Sequence, residues 1–250
     1  MPTTRRQNSS ASHRSPRDHR ANRLLGSLDE ADYAFLEPYL EAVILPRGTV
    51  LYEPGDPIVY TYFPHDAIVS LIDVMEDGRQ AEVGIFGCEG CFGLLSSFIS
   101  RQSFGRYVVQ IPGSASRVPV EAVHQAMAAR PEVRRLIYGY NEALIAQAYH
   151  SVACNALHDV ESRCSRWILT TRDRHDEDAL PLTHEFLSEM LGVQRSTVSN
   201  ILRAFQQSGL IEQRRGAIVI LDRSRLEREA CECYRKIHSR FQYLGTPRQV

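Results

Sequence analysis

Residues 182–205 read LTHEFLSEMLGVQRSTVSNILRAF, and this stretch decides the fold of the C-terminal part of the chain. Thr183 is suited to begin a helix, because its hydroxyl can accept a hydrogen bond from a first-turn N–H group that has no partner within the helix. Gly192 is suited to end that helix, since glycine adopts left-handed backbone conformations without strain. Val198 and Leu202 then give a second helix its apolar face. The pattern predicts two helices joined by a tight turn.

The outer face of the second helix is polar. It carries Gln194, Arg195, Ser196, Ser199 and Asn200. Side chains of this kind form hydrogen bonds with base edges and phosphates. Residues 213–220 (QRRGAIVI) then predict a strand, a basic turn and a second strand, with Arg214 and Arg215 at the tip. Two helices joined by glycine also occur as plain structure, but the added basic hairpin favours a DNA-binding winged helix-turn-helix.

Charge is distributed unevenly along the chain. The 250 residues carry a formal net charge of −1, but residues 195–240 contain ten Arg or Lys against five Asp or Glu. No stretch approaches the roughly 18 apolar residues of a membrane helix. Residues 1–23 also lack the apolar run of a secretory signal. We therefore expect a cytoplasmic protein with no membrane partner, whose six cysteines are reduced thiols rather than a disulfide framework.

The chain divides into segments that differ in hydrophobic periodicity and in the frequency of turn-forming residues. Short β-favouring runs separated by turn signals predict a small sandwich or barrel. These runs are 43–45, 49–52, 58–63, 68–74 and 106–111. The predicted units are a disordered basic tail (1–23), a β-rich domain (24–130), a long helix (131–158), the helix-turn-helix and wing domain (159–240) and a flexible tail (241–250).

Residues 132–156 contain no proline and one glycine, which predicts a single long helix. At about 1.5 Å per residue, a helix of this length spans roughly 37 Å. Its apolar residues at successive spacings of 4, 3 and 4 resemble a coiled-coil seam. They are Val133, Ile137, Tyr140 and Leu144. The stripe either packs on its own domain or forms a homodimer seam. We favour the dimer, because two recognition helices related by a two-fold axis read a palindrome.

These motifs resemble the Crp/Fnr superfamily of bacterial regulators over residues 24–235. Residues 193–202 (VQRSTVSNIL) stand in the position of the recognition helix, and residues 157–163 (LHDVESR) are similar to the family hinge, here at Asp159. Residues 48–56 (GTVLYEPGD) have the glycine spacing of the effector-binding β-roll. The resemblance implies an α+β fold with an N-terminal cyclic-nucleotide-binding-like β-roll (jelly roll), a long dimerisation helix and a C-terminal winged helix-turn-helix.

The resemblance also implies a role for individual residues. By position, the base-reading residues are Arg195, Ser196, Ser199 and Asn200. The phosphate contacts are Thr183, His184, Gln194 and Thr197, to which the wing adds Arg214 and Arg215. The family often has Glu at position 196 and Arg at position 200, so a standard family operator is not expected.

The implied function is a dimeric, sequence-specific transcription regulator. It would insert helix 194–205 into the major groove of a palindromic site in double-stranded DNA, with RNA polymerase as a further partner. An enzyme is not expected, because the chain lacks a Gly-rich phosphate loop, a nucleophile elbow and a His-Glu-x-x-His pattern. A regulatory module of another protein is also disfavoured, since such modules carry no DNA reader.

The effector site implied by the resemblance departs from the family pattern. Cyclic-nucleotide members use a Gly-Glu-Leu-Gly-like turn followed by an Arg-Ser or Arg-Thr pair. Residues 90–93 (GCFG) place Cys91 where the glutamate would stand, Glu89 lies two positions earlier, and the candidate arginine is Arg106. Losing the buried acceptor weakens nucleotide binding. We predict a degenerate pocket and a small-molecule effector or redox signal other than cyclic AMP, with the cofactor unidentified.

Two alternatives remain open for the signal: a cyclic-nucleotide-responsive activator, and a thiol or iron–sulfur redox sensor. Cys88 and Cys91 have ligand-like spacing, as do Cys231 and Cys233. Oxygen-sensing members of the family, however, carry their cysteine cluster near the N-terminus, and residues 1–87 contain no cysteine. No metal site is therefore predicted.

Overall fold

The β-rich half of the chain forms two antiparallel sheets. The computed structural model describes residues 18–175, 178–242 and 244. One sheet has the strand order β1-β7-β3 and the other β2-β6-β4-β5. In chain order the elements are α1 (Arg23–Gly26), α2 (Glu30–Leu36), β1 (Glu41–Leu45), β2 (Val50–Tyr52), β3 (Tyr60–Pro64), β4 (Ile68–Val74), β5 (Gln80–Phe86), β6 (Arg106–Ile111) and β7 (Gly113–Pro119).

The predicted β-roll is confirmed, although β5 and β7 were not among the predicted runs. β7 is the central strand of its sheet and pairs with β1 on one side and β3 on the other. Its first half, residues 113–116 (GSAS), consists of small residues with little preference for strands. The position of β7 is set by its hydrogen bonding to β1 and β3. A local sequence pattern carries no information about such pairing.

Helices dominate the second half of the chain, which ends in a small winged domain. The third sheet, of order β8-β10-β9, contains the wing. Among the described residues, no helix combines the length and the apolar character required to cross a membrane. The elements are α3 (Val120–Ala129), α4 (Pro131–Leu157), α5 (Val160–His175), β8 (Ala179–Leu180), α6 (His184–Leu191), α7 (Arg195–Gln207), β9 (Ile211–Arg214), β10 (Ala217–Ile220), α8 (Arg223–Glu229) and α9 (Cys233–Gln242).

Aromatic rings fill the interior of the β-roll. Phe92 stacks between Tyr62 and Tyr107, with ring centroids 5.0 and 5.2 Å away. Tyr52 meets Tyr107 edge to face, and Phe86 packs at a tilt against Phe92. All five rings are buried. Stacked and edge-to-face rings add stabilisation beyond the burial of their area, so this cluster is the core of the domain.

The ordered chain extends further at both ends than the sequence indicated. Asn22, inside the predicted tail, is fully buried, and its amide donates hydrogen bonds of 2.8 Å to the carbonyls of Pro64 and Gly90. At the other end, Phe241 lies within α9 and meets the Tyr140 ring edge to face at 6.1 Å. Residues 18–23, 241, 242 and 244 of the predicted tails (1–23 and 241–250) therefore belong to the described structure; residues 1–17, 243 and 245–250 lie outside the described residues.

Helix α5 docks the winged domain on the β-roll. The Arg174 guanidinium forms a 2.6 Å ion pair with Glu89 and donates a 2.7 Å hydrogen bond to Gln147 of α4. Trp167 donates from its indole N–H to the carboxylate of Glu82 on β5 at 3.0 Å. These contacts join the β-roll, α4 and the winged domain.

Candidate nucleic-acid interface

The two helices of the helix-turn-helix are set by a cap and a tight turn, as the sequence predicts. The Thr183 hydroxyl accepts a 3.2 Å hydrogen bond from the backbone N–H of Phe186, which begins α6. Gly192 has φ 66° and ψ 38°, the left-handed conformation that ends α6. Val198 and Leu202 are fully buried and anchor α7 in the core of the winged domain. This anchoring fixes which face of α7 points outward.

The outward face of α7 begins with an exposed polar group. Gln194, Arg195, Ser196 and Asn200 are all exposed. The Arg195 side chain is 67% exposed, and its Nε atom lies 3.6 Å from a carboxylate oxygen of Glu185, which is equally exposed. An exposed pair of this kind contributes little free energy. Arg195 can therefore exchange this partner for a nucleic-acid acceptor at small cost.

His184 connects the two helices with the wing. One of its ring nitrogens lies 2.9 Å from the Ser199 hydroxyl and the other 2.8 Å from the side-chain oxygen of Gln213. The Ser199 hydroxyl also donates to the backbone carbonyl of Arg195 at 3.0 Å. Ser199 and Thr197 are half-buried. The Ser199 hydroxyl is thus already bonded inside the domain, whereas Arg195 and Asn200 have only exposed partners, Glu185 and Arg203.

The wing places basic side chains beside the start of α7. β9 pairs with β10, and Gly216 takes φ 75° in the turn between them. Arg214 and Arg215 are exposed next to this turn. Arg214 forms a 2.7 Å ion pair with Glu212, and this hydrogen bond lowers the pKa of Glu212. An open groove separates the wing from the first turns of α6 and α7. Its lining includes Thr183, His184, Arg195 and Arg214.

The three residues predicted for an effector pocket have different partners. Glu89 is buried and paired with Arg174. Cys91 is buried in the core of the β-roll, where desolvation raises the pKa of its thiol. Arg106 forms a 2.8 Å ion pair with Glu53. Glu89 and Arg106 are thus engaged in ion pairs within the protein, and the Cys91 thiol lies in its core.

Tyr140 of α4 fills the space at the turn that resembles a nucleotide-binding loop. Its hydroxyl donates a 2.8 Å hydrogen bond to the carbonyl of Cys91. A Cβ atom added at Gly90 would overlap the Tyr140 ring. Glycine at position 90 thus allows close packing of α4 on this turn.

The predicted dimer seam faces the interior of its own chain. Val133, Ile137 and Tyr140 are 1–3% exposed and belong to the core shared with the β-roll, and Leu144 packs partly buried against it. The interpretation that these side chains meet a second copy is corrected accordingly. Their 4-3-4 spacing reflects packing on the chain's own domain, the other interpretation that the sequence left open.

A second apolar stripe, on the solvent side of α4, was not found from the sequence. We call it the outer stripe: Tyr138, Ile145, Tyr149 and Val152, which are 57%, 45%, 73% and 71% exposed. Their successive spacings of 7, 4 and 3 fit the a and d positions of a heptad repeat. The signal was present in the sequence, but it was interleaved with the inner stripe and hidden by it.

Asp159 lies between α4 and α5, where the sequence placed a hinge. Its carboxylate accepts a 2.8 Å hydrogen bond from the backbone N–H of Ser162, and this bond lowers the pKa of Asp159. The carboxylate therefore satisfies an N–H group in the first turn of α5.

The six cysteines fall into two groups. Cys88, Cys91 and Cys164 are buried separately from the others. The remaining three share a cluster with an imidazole: Cys154, His158, Cys231 and Cys233. Their ligand atoms all lie within 4.8 Å of one another, close enough for one metal ion to bind them together. The sequence analysis noted the ligand-like spacing of Cys231 and Cys233, but it missed the spacing of four from Cys154 to His158.

Comparisons with known proteins match both halves of the chain. Residues 42–130 match the model of the cyclic nucleotide-binding domain, and residues 162–229 match that of the Crp-like helix-turn-helix domain. The global nitrogen regulator of Synechococcus elongatus is 27% identical over 186 residues, which cover 70% of this chain and 83% of that protein. The CRP-like cAMP-activated global transcriptional regulator of Mycobacterium tuberculosis is 26% identical over 206 residues, 79% of this chain and 91% of that protein.

A solved structure shows the same fold. FixK2 from Bradyrhizobium japonicum superimposes with a TM-score of 0.68 at 18% identity, covering 77% of this chain and 98% of that one. The two curated relatives, which are matched over most of their length, are regulators by name, in agreement with the prediction that the chain is not an enzyme.

Proposed function

Because the chain belongs to the Crp/Fnr superfamily of transcription regulators, we propose that it binds palindromic double-stranded DNA as a homodimer, with α7 in the major groove. The observation that carries this proposal is the exposed polar face at the start of α7 beside the arginines of the wing. The helix offers groups for base edges, and the wing offers charge for phosphates.

Within α7, Arg195, Ser196 and Asn200 are the base-reading residues of the proposed complex. Arginine pairs with two acceptors on guanine, and asparagine with an acceptor and a donor on adenine. The role of Ser199 is different: its bonds to His184 and to the Arg195 carbonyl position the first turn of α7.

Phosphates are held around this helix. Gln194 and the wing residues Arg214 and Arg215 are exposed and reach outward. Thr183 and His184 line the groove next to Arg195, and Thr197 lies half-buried on the first turn of α7. Arg214 would exchange Glu212 for a phosphate, an exchange of one exposed ion pair for another.

The homodimer forms through the outer stripe of α4 in this proposal. Four large apolar side chains exposed at heptad spacing match the pattern by which two parallel helices pack. Two copies joined along α4 would present two α7 helices to successive major-groove faces, about 34 Å apart. The proposed regulator acts on RNA polymerase from such a site.

The β-roll responds to a signal other than cyclic AMP. Rings occupy its interior, and Tyr140 closes the turn at Gly90. Arg106 forms an ion pair with Glu53, so a cyclic phosphate would have to displace this carboxylate. We therefore expect cyclic AMP to give no concentration-dependent rise in melting temperature, whereas a ligand at about 100 times its Kd would add about 2.7 kcal/mol.

Selection from a random duplex library, followed by fluorescence anisotropy on the enriched site, tests DNA recognition. Arg195→Ala should cost about 1–3 kcal/mol and relax the preference at one base pair per half-site. Arg79→Ala removes an arginine that is equally exposed but lies on the β-roll, and it serves as the matched control. Failure to enrich any sequence would contradict specific binding, and a uniform loss over all sequences would make Arg195 a phosphate contact.

A further inference from the structure

The last turn of α4 and the connection between α8 and α9 bring four metal-binding side chains together. Cys154 and His158 stand one helical turn apart at the end of α4, and Cys231 and Cys233 flank Glu232. We call these four side chains the thiol–imidazole cluster. We propose that the thiol–imidazole cluster is a zinc site that fixes the C-terminal segment to the end of α4.

The spacing of the ligand atoms fits one small ion. The sulfur atoms of Cys154 and Cys231 are 3.4 Å apart, and the Cys233 sulfur lies 3.7 Å from Nδ1 of His158. In a tetrahedral zinc site with Zn–S bonds of about 2.3 Å, neighbouring sulfurs are about 3.8 Å apart. The cluster needs only shifts of a few tenths of an ångström along these two edges to enclose Zn²⁺.

The donor set and its burial select among metals. Three thiols and one imidazole form a tetrahedral structural zinc set, and soft sulfur donors disfavour magnesium and calcium. An iron–sulfur cluster would need its ligand sulfurs further apart, because each binds an iron on the outside of a larger inorganic core. All four ligand atoms here lie within 4.8 Å of one another. The three cysteines are 0–7% exposed, so a closed structural site is favoured over an open catalytic one.

The side chains around the cluster resemble those that surround the ligands of zinc sites, where a carboxylate orients a ligating histidine. With Nδ1 of His158 facing Cys233, its Nε2 lies 3.5 Å from a carboxylate oxygen of Glu232. A carboxylate at the far ring nitrogen orients a metal-binding histidine and raises its basicity. Arg166 is also buried, and its Nε has no hydrogen-bond partner among the described residues. Its positive charge acts on Cys154 and Cys231.

The charge balance of the loaded site is consistent with this environment. Binding of Zn²⁺ to three thiols and a neutral imidazole releases three protons and forms three Zn–S bonds and one Zn–N bond. The resulting centre carries one negative charge, which Arg166 offsets. Because the thiols must lose their protons, the affinity for zinc falls as the pH is lowered.

The position of the cluster gives the ion a mechanical role. His158 directly precedes the hinge residue Asp159, and α9, which begins at Cys233, packs along α4 and α5. Zinc would hold the segment after the wing against the end of α4. It would thereby fix the position of the winged domain relative to α4.

Metal content and cobalt substitution test the proposal directly. The reduced full-length chain, purified after growth with added zinc, should contain one Zn²⁺ per chain. Elemental analysis by inductively coupled plasma mass spectrometry measures this ratio. Co²⁺ should replace the zinc and give the ligand-field bands of tetrahedral coordination together with thiolate charge-transfer absorption. Cys231→Ser with Cys233→Ser should abolish both signals. Cys164→Ser, which removes a buried cysteine outside the cluster, should retain them.

Stability gives a second measurement that does not depend on the double variant being well folded. A chelator should lower the melting temperature of the zinc-loaded wild type, and added Zn²⁺ should restore it. Three results would overturn the proposal: wild-type chain that binds neither Zn²⁺ nor Co²⁺ above the level of the double variant, bound iron with inorganic sulfide in place of zinc, or a Cys154–Cys231 disulfide whose reduction yields no metal binding.

Discussion

The two faces of α4 carry similar apolar side chains at similar spacing and yet have different surroundings. The inner face, with Val133, Ile137 and Tyr140, is buried against its own β-roll. The outer stripe, with Tyr149 and Val152 more than 70% exposed, lies largely open to solvent. Both satisfy a heptad pattern. Helical periodicity therefore shows that a face is apolar, but the packing partner is decided by the rest of the fold.

A charge on the inner face should have the largest effect. Ile137→Asp removes a buried apolar side chain and places a carboxylate in the shared core, at a cost of at least about 4 kcal/mol. Domain stabilities are about 5–15 kcal/mol in total, so this variant should lose a large part of its stability, seen as a strongly lowered melting temperature by circular dichroism. Ile145→Asp on the outer stripe is the matched control and should keep its fold. Equal unfolding of both variants would erase the distinction between the two faces.

The same charge on the outer stripe should break assembly instead. Tyr149→Asp with Val152→Asp should give a folded monomer in sedimentation equilibrium, because paired copies would place four carboxylates in one apolar seam. Joining two half-site readers raises the affinity for a full site by about 10²–10⁴-fold. Specific DNA binding should weaken by that order while weak nonspecific binding persists. A wild type that is itself monomeric at micromolar concentration would remove the outer stripe from the dimer interface.

Sequence reasoning succeeded where local chemistry determines structure. The Thr183 cap, the Gly192 turn and the wing hairpin all depend on residues close in the chain, and each was predicted. It failed where distant segments meet. β7 is placed by two neighbouring strands, the inner face of α4 by the β-roll, and the thiol–imidazole cluster by residues 77 positions apart. Such contacts leave no local pattern in a single sequence.

The inner face can be probed more finely through one hydroxyl. Tyr140→Phe removes the hydrogen bond to the carbonyl of Cys91 and leaves that buried acceptor without this partner. We expect a loss of about 1–3 kcal/mol in the free energy of unfolding, measured by denaturant titration. Tyr149→Phe removes an exposed hydroxyl from the other face and should stay within about 0.5 kcal/mol of wild type. A loss confined to Tyr149→Phe would reverse the assignment of the faces.

A pH-dependent effect is expected where the β-roll meets α5, at the contact between Glu82 and Trp167. Burial raises the pKa of Glu82, the acceptor of the Trp167 indole, from 4.5 to about 7. The folded chain therefore binds this proton more tightly than the unfolded chain. The Glu82 contribution to stability is present at low pH and falls as the pH rises from about 4.5 to 7, by at most about 1.4 kcal/mol per pH unit.

Glu82→Gln keeps a side-chain oxygen that can accept from Trp167 and cannot ionise. Relative to wild type, this variant should therefore be more stable at pH 8 than at pH 5.5, as measured by melting temperature at both values. Glu76→Gln, in the exposed turn between β4 and β5, is the control and should show no such difference. Parallel pH profiles for wild type and Glu82→Gln would show that Glu82 ionises normally in the folded protein.

The ion pair between Arg174 and Glu89 disfavours small displacements of the winged domain from its docked position on the β-roll. Both side chains are less than a tenth exposed. A small separation would leave two charges in a medium of low dielectric without each other, whereas a full opening returns both to water. A partial separation of the winged domain from the β-roll would therefore be less favourable than either the docked position or a full opening. A signal that breaks this ion pair would therefore release the winged domain in one step and not by gradual displacement.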